Sequence, residues 1–496
     1  MKVLGIIAEY NPFHNGHLYH LRQAVALAGA QAVVAVISGA VTQRGEPAFA
    51  DKWSRARMAV DNGVDLVLEL PFAFACNSAE EFARGGVCLL KRLGCVTDMA
   101  FGCESEPDRL IEAARVSALR DEEFSQRLRR ALNEGLAYPA ARSRALLETG
   151  GLLSGAGASG LQEALRAPND ILAVEYVRQL QLQEASIRPW GIRRTGSGYH
   201  SLQTGTALAS AAAIRRAISR LQAQGLPSTD AGSAAKPEAA ALSEDILCAV
   251  PKATLAVLEE LLQQGGLWRP QDSLRLDAML LSQLRRLGPP GLRQLQGCSE
   301  GLEYRLWKAL PYAESAEQLL SLSSCARYST ARMRRLLCAA LMDFDGKTWG
   351  NIKESADKGL LYGRVLGIGN KGAQLLRCIR SQKRREEERS AAQRDSLSES
   401  VPLLLSNLNR ELTKEQKRFV KGETAACADG GCAAFAALRL DVRAADLCRT
   451  ARAADIYSGS DFVRSPYVAD APGMVEASGK NENSIKTTGF LRQSGI

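Results

Sequence analysis

The sequence predicts an α/β fold in which a mostly parallel sheet is covered by helices, followed by a mostly helical region and an irregular C-terminal extension. Short, continuously apolar runs at residues 3–8, 32–38, 64–70 and 98–101 alternate with stretches of helical spacing at 17–27, 55–62 and 80–93. Strands buried on both faces read as unbroken apolar runs, and parallel neighbours need a crossover between them, usually a helix. From residue 242 to about 380 the pattern changes to helical repeats rich in Leu, Ala and Arg.

Taken in order, Val3-Leu4-Gly5-Ile6-Ile7-Ala8 opens the chain as the first strand, and the runs at 32–38, 64–70 and 98–101 supply three more. Helical spacing continues through 109–132. A Gly-rich stretch at 150–160 then precedes Pro168-Asn169-Asp170, which leads into a helix over 171–181. Residues 187–194 read as a further strand and 210–221 as an amphipathic helix. Residues 224–240, rich in Ala, Ser, Pro and Gly, cannot bury much surface and read as a linker or flexible loop. The charged run 383–389 is expected to be a solvated helix face. The tail from 402 onward is less regular, with one strand-like segment at 436–442.

A chain of 496 residues can build about two to four domains with their own cores. Its 12 Cys are scattered, and Cys88 and Cys338 sit in apolar runs, where a thiol behaves as a small hydrophobe. Cys427 and Cys432 flank Gly430-Gly431 without close His partners, a weak metal signal. The chain opens directly on a strand-like run and contains no apolar stretch of bilayer length, so a cytoplasmic protein with no membrane partner is expected. A formal net charge of +9 permits a nucleic-acid partner, but a basic solvated face would produce it equally.

Three polar segments fall at the predicted carboxyl ends of strands: residues 9–17, 39–47 and 102–106. The first holds Asn11-Pro12-Phe13-His14-Asn15-Gly16-His17 between a strand and a helix. Three of the 4 His of the chain lie within residues 14–20. A glycine between the imidazoles lets backbone approach a phosphate, and a new helix offers unpaired N–H groups and a positive dipole end. Imidazoles three positions apart can converge on one group. The crowded, more negative transition state of nucleotidyl transfer at an α-phosphorus is stabilised by such donors. The competing readings are a pair of capping or surface histidines and a two-His metal site, the latter lacking a third ligand at zinc or iron spacing. The spacing is neither a Walker A loop nor a dinucleotide fingerprint, and the His-x-Gly-His class of nucleotidyltransferases matches it best.

Arg44 and Lys52 follow the second strand and are candidates for phosphate oxygens, or else for ordinary salt bridges. Asn169 is either a helix N-cap or a contact to base or ribose. Arg193-Arg194 and Tyr199-His200 bracket a Gly-rich turn that suits a phosphate contact, an RNA backbone contact or a surface hairpin.

The run from Gly5 through Leu18, with Gln43-Arg44-Gly45-Glu46-Pro47-Ala48, Asp51-Lys52-Trp53, Asp65 through Pro71, Phe101-Gly102, Pro168-Asn169 and Ile192 through Arg194, resembles the bacterial tRNA(Met) cytidine acetate ligase family. The likeness is dense to about residue 216 and thinner at Arg327-Tyr328, Arg332, Arg364 through Gly367, Arg443-Ala444 and Asp461. It implies a Rossmann-like nucleotidyltransferase domain at 1–222, a linker at 223–243, a helical tRNA-binding domain at 244–390 and a divergent C-terminal region at 391–496. It implies ATP, with Mg²⁺, acetate and elongator tRNA(Met) as substrates, and N4-acetylcytidine, AMP and pyrophosphate as products.

His14, His17, Arg44 and Lys52, by residue type and placement at the strand ends, are expected to carry the chemistry, and the resemblance implies the nucleotide contacts. Nucleotide contacts fall to Ile7, Ala8, Glu9, Tyr10, Asn11, Pro12, Phe13, His14, Asn15, Gly16, His17, Leu18, Tyr19 and His20, with Gly102, Asn169 and Arg194. No protein-held metal is assigned. Asn169-Asp170 departs from the family's Asn-Asn, and Ala40-Val41-Thr42 replaces a bulkier segment. The Arg-rich segments 327–335 and 364–380 are the candidate RNA surface, their alternative being helix solubility. Two further readings stand beside this one: an adenylyltransferase acting on a phosphorylated metabolite, and an RNA-binding protein that keeps only a nucleotide pocket.

Overall fold

Val3–Ala8 (β1), Ala32–Ser38 (β2), Leu66–Leu70 (β3), Asp98–Cys103 (β4) and Arg188–Arg193 (β5) form the parallel part of one sheet, in the order β5-β4-β1-β2-β3. The computed structural model describes residues 1–136, 138–149, 167–194, 209–224, 244–299, 301–325, 327–392, 404–424, 432–452 and 460–469. The expected Gly-rich stretch at 150–160, the linker at 225–240, Tyr199, His200 and Cys427 lie outside those residues. Along the chain the strands step outward from β1 to β2 and β3, then return to the other side of β1 for β4 and β5. The crevice at the carboxyl ends of β1 and β4 is therefore a topological switch point, the usual ligand site of such sheets.

Alternate residues of each strand enter opposite cores, as a period of two requires. Val34, Val36, Leu66 and Leu68 pack with Phe82, Val87 and Leu90 of the helix Ala79–Arg92. Val33, Ala35, Ile37 and Val67 pack on the other face with Leu21 and Ala24 of α1 (Asn15–Ala28) and with Ala56 and Met58 of α2 (Lys52–Asp61). The mostly helical region follows, running from Glu244–Ala249 to Gly372–Ala392. Among the described residues no helix is long and apolar enough to cross a membrane.

Two short segments differ from the sequence expectation. Gly363–Ile368, expected to be helical, is strand β6 and pairs antiparallel with β3. Leu404–Leu405 (β7) and Tyr467–Val468 (β8) then pair with β6. The strand-like segment 436–442 lies instead inside the helix Cys432–Arg452, where Phe435, Leu438 and Val442 are buried. A mostly apolar segment of six or seven residues is too short for its periodicity to separate a buried strand from a buried helix. What decides here is partner availability: β3 has an open edge that β6 fills.

The C-terminal extension is tied to this edge by buried charge. Lys52 Nζ lies 2.7 Å from Glu69 Oε2 of β3 and 2.6 Å from Asp461 Oδ2, and Arg364 Nη1 of β6 lies 3.1 Å from the same Asp461 oxygen. Burial disfavours charge on Asp461, but Arg364 and Lys52 outweigh it and hold the carboxyl below its usual range. Asp441 accepts from Phe72 N at 2.6 Å and from the Tyr362 hydroxyl.

A second buried cation, one turn further along α2, fixes the carboxyl ends of β1 and β2. Arg55 of α2 has no exposure and donates to the carbonyl oxygens of Ala50 (3.1 Å), Glu9 (2.6 Å), Ser38 (2.9 Å) and Gly39. Burial lowers its pKa to about 10, which leaves it charged at neutral pH. Arg55→Met is expected to cost about 3–5 kcal/mol, the scale for stripping one partner from a buried charged network. Urea unfolding followed by circular dichroism measures this, and a loss within about 0.5 kcal/mol, ordinary for a surface substitution, would refute the anchoring role.

Candidate active site

A cavity of about 1420 Å³ opens at the switch point, walled by the loops after β1, β2, β4 and β5 and by the helices Pro168–Leu182 and Thr330–Leu341. Ile7, Ala8, Glu9, Tyr10, Asn11 and His14 line it, as do Gly16, His17, Tyr19 and His20. Arg44, Gly102, Asn169 and Arg194 line it too. The three polar strand ends that the sequence places together thus share one space.

Other expected contacts do not line the cavity. Phe13 is fully buried beneath Tyr10 and His17, with ring centroids 4.8 and 5.5 Å away. Asn15 donates through Nδ2 to Cys248 O at 2.8 Å, and Pro12 and Leu18 lie behind the wall. Lys52 does not face a phosphate site: it is 2% exposed, and its ammonium is already satisfied by Glu69 and Asp461 in the core. Arg364 is likewise fully buried against Asp461 and is no part of an RNA surface, whereas Arg377 and Arg380 of that segment are exposed.

His14 is the N-cap of α1. Its Nδ1 accepts from Gly16 N at 3.0 Å, while its own N–H donates to His17 Nδ1 at 3.3 Å, a reciprocal capping box. The two rings stack at 3.8 Å, 26° from parallel. His14 thus caps the helix and lines the cavity at once. Gly16 is needed for the cap: a Cβ there would stand 2.8 Å from His14 Cε1. The first-turn N–H groups of Gly16, His17 and Leu18 are taken by His14, so the helix presents its dipole and its imidazoles more than free amides.

This geometry sets the chemistry of the pair. A backbone N–H can only donate, so both Nδ1 atoms are unprotonated and each neutral ring carries its proton on Nε2. Burial, with Arg194 and Arg215 adding repulsion, lowers His14 to about 3. Burial, then His14, holds His17 well below the usual imidazole value. Burial lowers His20 to about 4 against an opposing hydrogen bond that its ring donates to the Phe101 backbone, and its Nε2 is buried without a partner. At neutral pH the site holds fixed, uncharged N–H donors.

The neighbours keep the loops in register. Asn11 Oδ1 accepts from Phe49 N at 2.8 Å, and Asn11 O accepts from Arg215 Nη1 at 2.7 Å. Asn169 is not the N-cap, which is Ala167; it lies inside the first turn and donates to Glu104 Oε1 at 2.7 Å. Asp170, fully buried, accepts from Glu104 N (2.6 Å) and Ser105 Oγ (2.6 Å), which ties the loop after β4 to this helix. An amide at position 170 could accept and donate along the same lines. The sequence reading missed Arg55, Arg215 and the buried Arg142–Glu175 pair on the cavity wall. Only a charge on an otherwise apolar helix face could have flagged them.

His14 makes the fold acid-sensitive. Its folded pKa of about 3 lies below the ordinary 6.5, so unfolding takes up a proton between those values and stability falls as pH drops from 6.5. The slope is about 1.4 kcal/mol per pH unit for one such group. His14→Asn keeps an N-cap acceptor without titrating and should lose stability less steeply over that range. Equal slopes in urea titrations of the two proteins would defeat this assignment.

A family model for the HIGH Nucleotidyl Transferase matches residues 1–414. The tRNA(Met) cytidine acetate ligase of Halothermothrix orenii is 37% identical over 389 residues, covering 77% of this chain and 86% of that protein. The one from Syntrophomonas wolfei is 38% identical over 382 residues, 77% of this chain and 85% of its own length. A crystal structure of Thermotoga maritima TmcAL bound with alpha-thio ATP superposes with a TM-score of 0.75 at 29% identity, covering 94% of this chain and 99% of that one. The apo form gives 0.76 at the same identity and coverage. With its His-x-Gly-His turn at the switch point of a mixed, mostly parallel sheet, the chain belongs to the HIGH nucleotidyl transferase family, among relatives named tRNA(Met) cytidine acetate ligase.

Proposed function

We propose that this chain uses ATP to activate acetate and transfers the acetyl group to N4 of the wobble cytidine of elongator tRNA(Met). The observation that carries the reading is the stacked, tautomer-fixed pair His14 and His17 lining a cavity that also receives Arg44, Asn169 and Arg194. The relatives' name, and the ATP analogue bound to the Thermotoga maritima protein, support it.

In the first step an acetate oxygen bonds to the α-phosphorus. The bond to the bridging oxygen breaks and pyrophosphate leaves with that electron pair, giving acetyl-adenylate. Negative charge grows on the α-phosphate oxygens, where the Nε2–H groups of His14 and His17 act as donors that need no proton from solution. Arg44 and Arg194 supply fixed positive charge to the phosphates. In the second step N4 attacks the acetyl carbon, AMP leaves with its bonding pair and N4 gives up one proton. That nitrogen is a weak nucleophile, so placement and water exclusion do most of the work.

Arg327, Arg332 and Arg335 line the same cavity from the helical side and suit RNA phosphates close to the reacting base. Arg332 also stacks over the Tyr328 ring at 4.8 Å. Mg²⁺ enters with ATP in this reading, since that ion keeps several waters and is held chiefly through substrate phosphates.

The test is mass spectrometry of nucleosides from bacterial tRNA incubated with the protein, ATP and isotopically labelled acetate. Label in N4-acetylcytidine only when ATP is present is the expected result. Its absence with folded protein and a substrate tRNA would overturn the reading in favour of a metabolite adenylyltransferase. Within the same assay, His17→Ala should slow acetate-dependent exchange of pyrophosphate into ATP by about 100-fold or more, the worth of a transition-state donor. Its tRNA affinity should stay within about twofold of wild type, since His17 carries no charge to the RNA. An unchanged exchange rate would remove His17 from the mechanism.

A further inference from the structure

Arg44 sits on a loop gripped from two sides. The loop, residues 42–47, closes on itself through Thr42 N to Glu46 O (2.8 Å) and Gly45 N to Thr42 O (3.0 Å). On its inner side Gln43 N donates to Glu9 Oε1 at 2.7 Å, which joins it to the loop after β1. Its outer side lies backbone to backbone on the helix Thr330–Leu341. Gly45 has φ 78°, and a Cβ there would meet the Arg334 carbonyl carbon and the Arg335 nitrogen, each at 2.8 Å. Around this contact Glu46 Oε1 accepts from Arg334 Nη1 at 2.6 Å, Cys338 Sγ donates to Gly45 O at 3.1 Å, and Arg335 Nη1 donates to Gln43 O at 3.4 Å.

We propose that Glu46 and Arg334 are positioning residues for the nucleotide site: their ion pair seats the loop on the helix Thr330–Leu341 and thereby aims Arg44 at the triphosphate. The proposal rests on the reading that this cavity takes ATP. Glu46 and Arg334 do not themselves reach the phosphates in this account; they act through Arg44. The Glu46 carboxylate and the Arg334 guanidinium are both part-buried, where a hydrogen-bonded pair holds geometry better than one on open surface. Arg334 also pairs with Glu317 at 2.6 Å, which holds its side chain when Glu46 is removed.

The experiment is calorimetric titration of ATP and of AMP into the full chain and its variants. Arg44→Ala should weaken ATP binding about tenfold and AMP binding less than twofold, since AMP lacks the β- and γ-phosphates. Glu46→Ala and Arg334→Ala should reproduce that pattern, and Glu46→Gln, which keeps a hydrogen bond to Arg334, should recover most of it. Adding Arg44→Ala to Glu46→Ala should bring little further loss, because both act through one contact. Additive losses, or equal losses for ATP and AMP, would overturn the proposal. Failure of the wild-type chain to bind ATP would instead refute the nucleotide reading of the cavity, and wild-type binding with unchanged variants would refute the positioning role alone.

Discussion

Arg55 has no exposure, and its guanidinium donates to the carbonyl oxygens of Glu9, Ser38, Gly39 and Ala50. These oxygens lie at the end of β2 and in the loops after β1 and β2, so what the buried charge fixes is mostly backbone, with the Ser38 hydroxyl at 3.4 Å as its one side-chain acceptor among the described residues. A cation this deep must keep all its acceptors or the desolvation cost is left uncompensated. The two loops therefore take their positions from one side chain. The helix start at Asn15 and the loop bearing Arg44 inherit that reference.

On this frame the His14–His17 pair answers a chemical problem by structural means. An imidazole near pH 7 ordinarily switches between donor and acceptor as it titrates. Here the cap assigns each Nδ1 the acceptor role, and burial with nearby arginines removes the charged state. The aromatic packing of Tyr10 and Phe13 against His17 then fixes the second ring, with centroids at 5.0 and 5.5 Å. A site built this way needs little reorganisation when charge develops in front of it.

Much of this was legible in the sequence, and the reasons are specific. Four of the five parallel strands are legible because strands covered on both faces are written as apolar runs, whereas β5 is a half-exposed edge strand flanked by Arg188 and Arg193, and the His-x-Gly-His turn stands out because histidine is scarce. Gly16 was noticed for a role at phosphate, but its constraint is the ring of His14. Lys52 misled because a lysine beside a phosphate and a lysine in a buried ion pair look identical until Glu69 and Asp461 are seen around it. The partners of Arg55 are mostly backbone oxygens, which leave no trace in residue identity. Strand β6 was hidden because its partner lies about 300 residues earlier, a separation that local periodicity does not sample.

That separation bears on how the protein is made. The central sheet is finished only when β6, β7 and β8 arrive, and Lys52 and Glu69 share their buried network with Asp461 near the end of the described chain. A ribosome that has released the first half of the polypeptide has exposed β3 as a bare edge with a lysine and a glutamate whose last partner does not yet exist. Such an edge is a template for pairing with other chains. Until the C-terminal segment reaches it, the N-terminal half can close neither its sheet edge nor its buried ion network, so the order of synthesis sets the order in which that core is completed.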